Sequence, residues 1–206
     1  MKKIVLAVAA AVTAGLLASQ ASATTINFVQ EAVSGGERGV ADGGVLNSSA
    51  LGGLNLQFSA GIGGATRDYA YFNADPTTFR GLGTCTRLNS AGQCSPSYDD
   101  VVSSNEWVQV AFLDGAFDVR RLSFNTADAN GFVTITTSLN SVLSVVTMTF
   151  ATAASTVFGL VDWIRFEYVD TEFTDARISD VRLPGALPLL LSGLVGLGFA
   201  ARRRKA

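Results

Sequence analysis

Trp107-Val108-Gln109-Val110-Ala111-Phe112 is the stretch on which the fold reading rests. Trp107, Val108, Val110 and Phe112 form an apolar run in which Gln109 is left to face out. A period of two places successive side chains on opposite faces of a strand, so such a run reads as half-buried β-structure. The same pattern recurs on both sides of it. Ile26 and Phe28 alternate with polar neighbours, and Asn55 and Gln57 separate Leu54, Leu56 and Phe58. Residues 117–124, 132–137, 142–150, 160–169 and 173–183 continue it, rich in Val, Thr and Phe. Asp114-Gly115 and Asn130-Gly131 are turn signals between runs. No long 3.6-residue period intervenes. The expectation is an all-β domain of about eight or nine strands, a single antiparallel β-sandwich of jelly-roll-like type. Trp107 and Trp163 each sit in an apolar run and are expected in the core. Residues 34–66, with ten glycines, are expected to be turns joining short strands.

Two other apolar runs flank this domain. Met1-Lys2-Lys3, the run Ile4 to Ala18 and the small-x-small triplet Ala21-Ser22-Ala23 follow the basic, apolar, small order of a secretory signal peptide. Residues 1–23 are therefore predicted to be removed between Ala23 and Thr24. At the other end, Leu183-Pro184-Gly185-Ala186-Leu187-Pro188 leads into an uncharged run, and Arg202-Arg203-Arg204-Lys205 closes it. The stretch from Gly185 to Ala201 is 17 residues long. At ~1.5 Å per helical residue it reaches roughly 25 Å, near the lower limit for a bilayer core. The four cations are expected on the cytoplasmic side. The predicted division is 1–23 signal peptide, 24–183 exported domain and 184–206 transmembrane segment with a basic end.

The tail resembles the PEP-CTERM sorting signal, most closely its VPLPA variant. That resemblance covers about the last 26 residues and departs at Arg182 and Gly185. It implies recognition by an exosortase, an integral-membrane protease or transpeptidase of Gram-negative bacteria that often make exopolysaccharide. Pro184 would mark the recognition site, the helix would hold the substrate in the membrane, and the basic end would block full translocation. The implied route passes through the inner membrane to the cell surface or extracellular matrix, with signal peptidase and exosortase as processing partners and exopolysaccharide as a candidate partner.

Charge narrows the function of the middle. All 17 acidic residues lie within 24–183, against nine basic residues, every one an arginine, which gives a net charge of −8. Nucleic acid is excluded as a partner, because phosphate neutralisation needs clustered cations. Calcium and neutral sugars remain compatible. No histidine and no Gly-x-Ser-x-Gly elbow are present, which removes histidine-based triads and histidine metal sites. The chain is read as non-catalytic. The enzyme alternative would rest on paired carboxylates among Asp162, Glu167, Asp170 and Glu172, near Trp163 and Tyr168.

The most distinctive internal stretch runs from Gly81-Leu82-Gly83-Thr84-Cys85 through Gln93-Cys94-Ser95-Pro96-Ser97-Tyr98-Asp99-Asp100 to Glu106-Trp107. An oxidising compartment favours a disulfide between Cys85 and Cys94. The stretch is similar to a pattern in some exported PEP-CTERM proteins, which implies the same disulfide and a shared fold but no established activity. Asp99, Asp100 and Glu106 are candidate calcium ligands, since calcium takes several hard oxygens from a loop. The alternative is ordinary turn chemistry, with aspartates accepting from backbone amides. Asp128 and Asn130 are weaker candidates. Exposed aromatics stack on sugar faces, so Tyr69, Tyr71, Tyr98, Trp107 and Trp163 are candidates for carbohydrate. Tyr98, beside the acidic loop, is the preferred one.

Overall fold

In the computed structural model, the alternation around Gln109 becomes the centre of a sheet. Strand β7 (Glu106–Phe112) points Val108, Val110 and Phe112 into the core and Gln109 away from it. On one side it pairs with β4 (Leu56–Ile62), on the other with β13 (Trp163–Tyr168). Beyond β13 come β10 (Phe132–Leu139) and then the edge strand β11 (Val142–Thr149). Beyond β4 come β3 (Gly44–Leu46) and the start of β5 (Ala65–Asn73).

β5 turns the corner of the structure. Its first residues pair with β4, whereas Tyr69 to Asn73 pair with β6 (Gly81–Cys85) and residues 70–72 also with β2 (Arg38–Val40). β6 meets β14 (Ala176–Leu183), which is flanked by β1 (Thr24–Asn27) and β9 (Arg121–Thr126). A small ribbon of β8 (Phe117–Val119) and β12 (Gly159–Val161) completes the set. Every pairing is antiparallel, and the all-β antiparallel expectation holds. The register between β4 and β5 shifts between Ala60 and Gly61, a bulge that bends the strands at the corner. Gly61 fits only without a side chain there. A Cβ would lie 2.0 Å from the Ala65 carbonyl oxygen and 2.8 Å from the Trp107 ring.

The structure describes residues 24–75, 80–97, 99–103, 105–126, 129–169 and 176–183. Thr24 to Leu183 form one compact unit. Ala21 and Ala23 of the cleavage triplet lie outside the described residues. So do Pro184, Gly185, Ala186, Leu187 and Pro188 of the sorting motif, Arg202, Arg203, Arg204 and Lys205 of the basic end, and Tyr98, Asp128, Asp170 and Glu172. No helix among the described residues is long and apolar enough to cross a membrane.

Apolar burial between the two halves of the bent sheet holds the unit together. Phe58 meets Phe28 and Phe72 edge to face, the latter pair 5.3 Å between centroids, and Phe28 and Phe72 lie tilted to each other. Phe124 packs on Phe150 and Phe166, and Phe150 stacks on Tyr168. Each fully buried ring of this kind contributes about 1.5–3 kcal/mol before the cost of chain ordering.

The structure is more finely divided than the sequence pattern suggested, with fourteen short strands among the described residues. Two helices interrupt runs read as strand. Helix α1 (Phe28–Gly35) starts because the Asn27 side chain accepts from the Gln30 amide at 2.8 Å, and Phe28 enters the core from its first turn. Helix α2 (Phe150–Ser155) starts at Thr149, whose hydroxyl accepts from the Thr152 amide. The run 160–169 breaks at Asp162, whose backbone bonds outward to Ser138 and Phe112. Trp107 is buried, but both tryptophans alternate onto the outer face of the sheet, and Trp163 is only half-buried.

Candidate functional site

The loop between β6 and β7 is braced covalently. Cys85 and Cys94 form a disulfide, as the compartment argument anticipated. It packs with buried Tyr71 of β5 and with Tyr69 and Leu88. Inside the loop, the Asn89 side-chain oxygen accepts from the Ala91 and Gln93 amides at 2.8 and 3.1 Å, which shapes a tight turn. The Gly39 amide donates to the Gly92 carbonyl and ties this turn to β2.

The chain then returns across β6. Thr84 donates its amide and its hydroxyl to the Val101 carbonyl, the hydroxyl at 2.6 Å. Gly83 makes this crossing feasible, since a Cβ there would lie 2.5 Å from the Asp100 carbonyl oxygen.

These elements enclose a polar cleft of about 340 Å³. Glu37, Asp75 and Asp100 line it with carboxylates, Asn73, Asn89 and Gln93 with amides, and Ser97 with a hydroxyl. Its floor is Tyr71 and Cys94. Among the described residues, no cation belongs to the lining. The Asn73 amide donates to the Asp100 carboxylate, and the Asn73 side-chain oxygen accepts from the Asp75 amide at 2.6 Å. The volume lies at the low end of ligand pockets, roughly 300–1,000 Å³.

The three candidate calcium ligands are separately engaged. Asp99 accepts from the amide and hydroxyl of Thr86. Asp100 accepts from Asn73. Glu106 accepts from the Ser103 amide at 2.7 Å and lies 2.9 Å from the Thr84 hydroxyl, whose one proton it shares with the Val101 carbonyl. Burial raises the Glu106 carboxyl above its ordinary value; the two hydrogen bonds lower it, and the charges of Asp99 and Asp68 raise it. Among the described residues, one group of three acidic or thiol side chains brings its ligand atoms within 4.8 Å of one another, namely Cys85, Cys94 and Asp99. Its sulfurs are bonded to each other, so neither is a thiolate able to hold a metal. Asp99, Asp100 and Glu106 thus each accept hydrogen bonds that pin the loop, and their carboxylates are not gathered within 4.8 Å of one another.

The remaining candidates separate. Tyr71 is buried and offers no stacking face, and Tyr69 is half-buried beside the disulfide. On the outer face of the sheet around β7 and β13, the Arg165 guanidinium covers Trp107 at 3.8 Å and reaches toward Trp163 at 5.7 Å. Asp162 accepts from the Asn140 amide and belongs to the framework, while Glu167 stands on the outer face opposite Trp107.

The cleft's amides and two of its carboxylates were not singled out from the sequence. Glu37, Asn73, Asp75 and Asn89 are scattered and share no motif, and Gln93 lies in the distinctive stretch without a role read for it there. The available signal was Asn73, a polar residue buried at the end of a strand, where a partner is obligatory.

Comparison with known proteins finds no family model, no curated protein and no solved structure that matches this chain.

Proposed function

We propose that this is an exported, non-catalytic protein of the cell surface or extracellular matrix, passed on by an exosortase-type system, which holds a neutral polysaccharide in the cleft beside the disulfide. The cleft carries the reading. It gathers amides, a hydroxyl and carboxylates in one concave place, and these groups together can donate to and accept from sugar hydroxyls. Among the described residues that line it, the charged groups are carboxylates, which disfavours an anionic polymer and favours a neutral one. The disulfide, the Asn89 turn and the Thr84 bonds to Val101 hold the lining in place before a ligand arrives, which lowers the cost of binding. The export and sorting part rests on the terminal segments of the sequence.

Two experiments test the two parts separately. Residues 24–183 are probed against an array of neutral and acidic polysaccharides. Binding to a neutral glycan is expected, with loss on Gln93→Ala combined with Ser97→Ala and no loss of thermal stability. Binding that survives this double substitution, or no binding at all, would remove the cleft reading. Mass spectrometry of the mature protein tests sorting: a C-terminus near Pro184 is expected, and an intact end at Ala206 would overturn it.

A further inference from the structure

The edge strand β11 lacks the usual protection of a sheet edge. Among the described residues it pairs with β10 alone, over all eight positions and without a register shift. Its other edge therefore presents a row of backbone donors and acceptors. Natural proteins blunt such edges with charge, proline, bulges or a covering element. Here residues 129–161, a run of 33, contain no charged residue and no proline, although 26 charged residues lie within 24–183.

Both faces of β11 are also exposed and apolar. Val142 is 71% exposed, Leu143 59%, Val145 61% and Val146 37%. β10 directs Val133, Ile135 and Thr137 inward, and their partners on β11 are Met148, Val146 and Ser144. The inner face of the sheet thus continues past its cover. It opens into a groove of about 570 Å³ between β11 and residues 156–160, walled by Val142, Val146, Met148, Val157, Phe158 and Leu160.

We propose that β11 is a docking edge for a second copy of this chain, joined antiparallel to its own β11 about a two-fold axis perpendicular to the sheet. Three properties favour a copy over another partner. An antiparallel pairing of one strand with itself is self-complementary, as a two-fold interface requires. Centred on Val145, it sets Val142 against Met148, Leu143 against Thr147 and Ser144 against Val146, so apolar and hydroxyl groups meet throughout. Finally, each domain carries a net charge of −8, so copies repel except where charge is absent, and this uncharged edge lets them approach without burying a carboxylate. A charged partner would find no ionic contact there. The backbone edge itself demands an extended strand, as in other strand-addition complexes.

Cysteine cross-linking in the full chain, exported and analysed without reductant, tests this. The native cysteines are already paired with each other. Ser144→Cys, Val145→Cys and Val146→Cys are made singly, with Val33→Cys on exposed α1 as the control. The residue nearest the two-fold axis is expected to give a covalent dimer at least ~10-fold above that control, as its effective concentration dictates. Adding Leu143→Lys to that variant is expected to return it to the control level. Sedimentation of the wild-type chain is expected to give twice the monomer mass. Cross-linking no greater than from Val33→Cys, a product of any other mass, or a monomeric wild-type chain would overturn the proposal.

Discussion

The guanidinium of Arg165 lies 3.8 Å from the ring centroid of Trp107 on the outer face of the sheet. Gln109 fixes it there by accepting from Nε at 3.1 Å and Nη2 at 2.9 Å. The ring is buried, with its indole nitrogen donating to the Gly63 carbonyl at 2.9 Å. Burial lowers the Arg165 pKa, and the Glu167 charge raises it. The cation therefore covers an aromatic surface that would otherwise meet water. Arg165→Ala is expected to lower stability by about 1–2 kcal/mol, combining the lost cation–π contact with lost cover. Thermal melting measures the cost, and a red shift of tryptophan emission reports the uncovered ring. An unchanged melt and spectrum would show that the contact contributes nothing.

Glu106 gives a pH test. Burial raises its folded-state pKa above the ordinary 4.5 of the unfolded chain. The native state then holds the proton more tightly, so this group's contribution falls as pH rises from the unfolded value through the folded one, and the full penalty stands above that window. Glu106→Gln removes the titration and keeps an oxygen able to accept from Ser103 and Thr84. The melting temperature of Glu106→Gln minus that of wild type is expected to grow from about pH 4 to pH 7. A difference that shrinks over the same range would reverse the assignment.

The disulfide gives a local test. Cys85 and Cys94 are nine residues apart in sequence, and closing so short a loop restricts the unfolded chain. Replacing both by serine is expected to cost about 2–3 kcal/mol. Because the bridge packs on Tyr71 and floors the cleft, glycan binding is expected to fall more than melting at a temperature well below the transition. Equal loss of both would mean that the bridge serves the whole fold and not the cleft in particular.

How far the sequence could be read depends on the range of the interactions. Val108, Val110 and Phe112 alternate locally, and their strand forms as read. The facing of Trp107 and Trp163 followed from the same alternation, but apolar character drew them toward the core. Trp107 is buried on the other face instead, under a cation 58 residues away in sequence. Helix α1 was missed because Phe28 belongs equally well to a strand pattern, and the deciding contact is the Asn27 cap. The calcium reading saw three carboxylates close in sequence. Their partners Thr86, Asn73 and Thr84 lie on other elements, so the competition for those oxygens was invisible. The uncharged run 129–161 was in plain view, yet only the pairing shows that it contains a sheet edge.

Gly83 links the Gly-Leu-Gly-Thr-Cys motif to the cleft. Its strand β6 is buried throughout, and the returning segment lies directly over it. A Cβ at Gly83 would stand 2.5 Å from the Asp100 carbonyl oxygen and 3.1 Å from the Val101 Cα, both backbone atoms that no rotamer change can move. Gly83→Ala must therefore lift residues 100–101 away from β6. That movement lengthens the bonds from Thr84 to the Val101 carbonyl and shifts Asp100 at the cleft wall. A cost of about 1–3 kcal/mol is expected, the usual range for an overpacked core site. Gly64→Ala is the control, since nothing lies within 4 Å of a Cβ there and its φ is not in the left-handed region. If the two variants melt alike, the segment is not held against β6, and the cleft has a softer wall than the Thr84 bonds imply. If only Gly83→Ala is destabilised and also loses glycan binding, the motif's second glycine is required because the cleft wall must cross the strand at backbone contact.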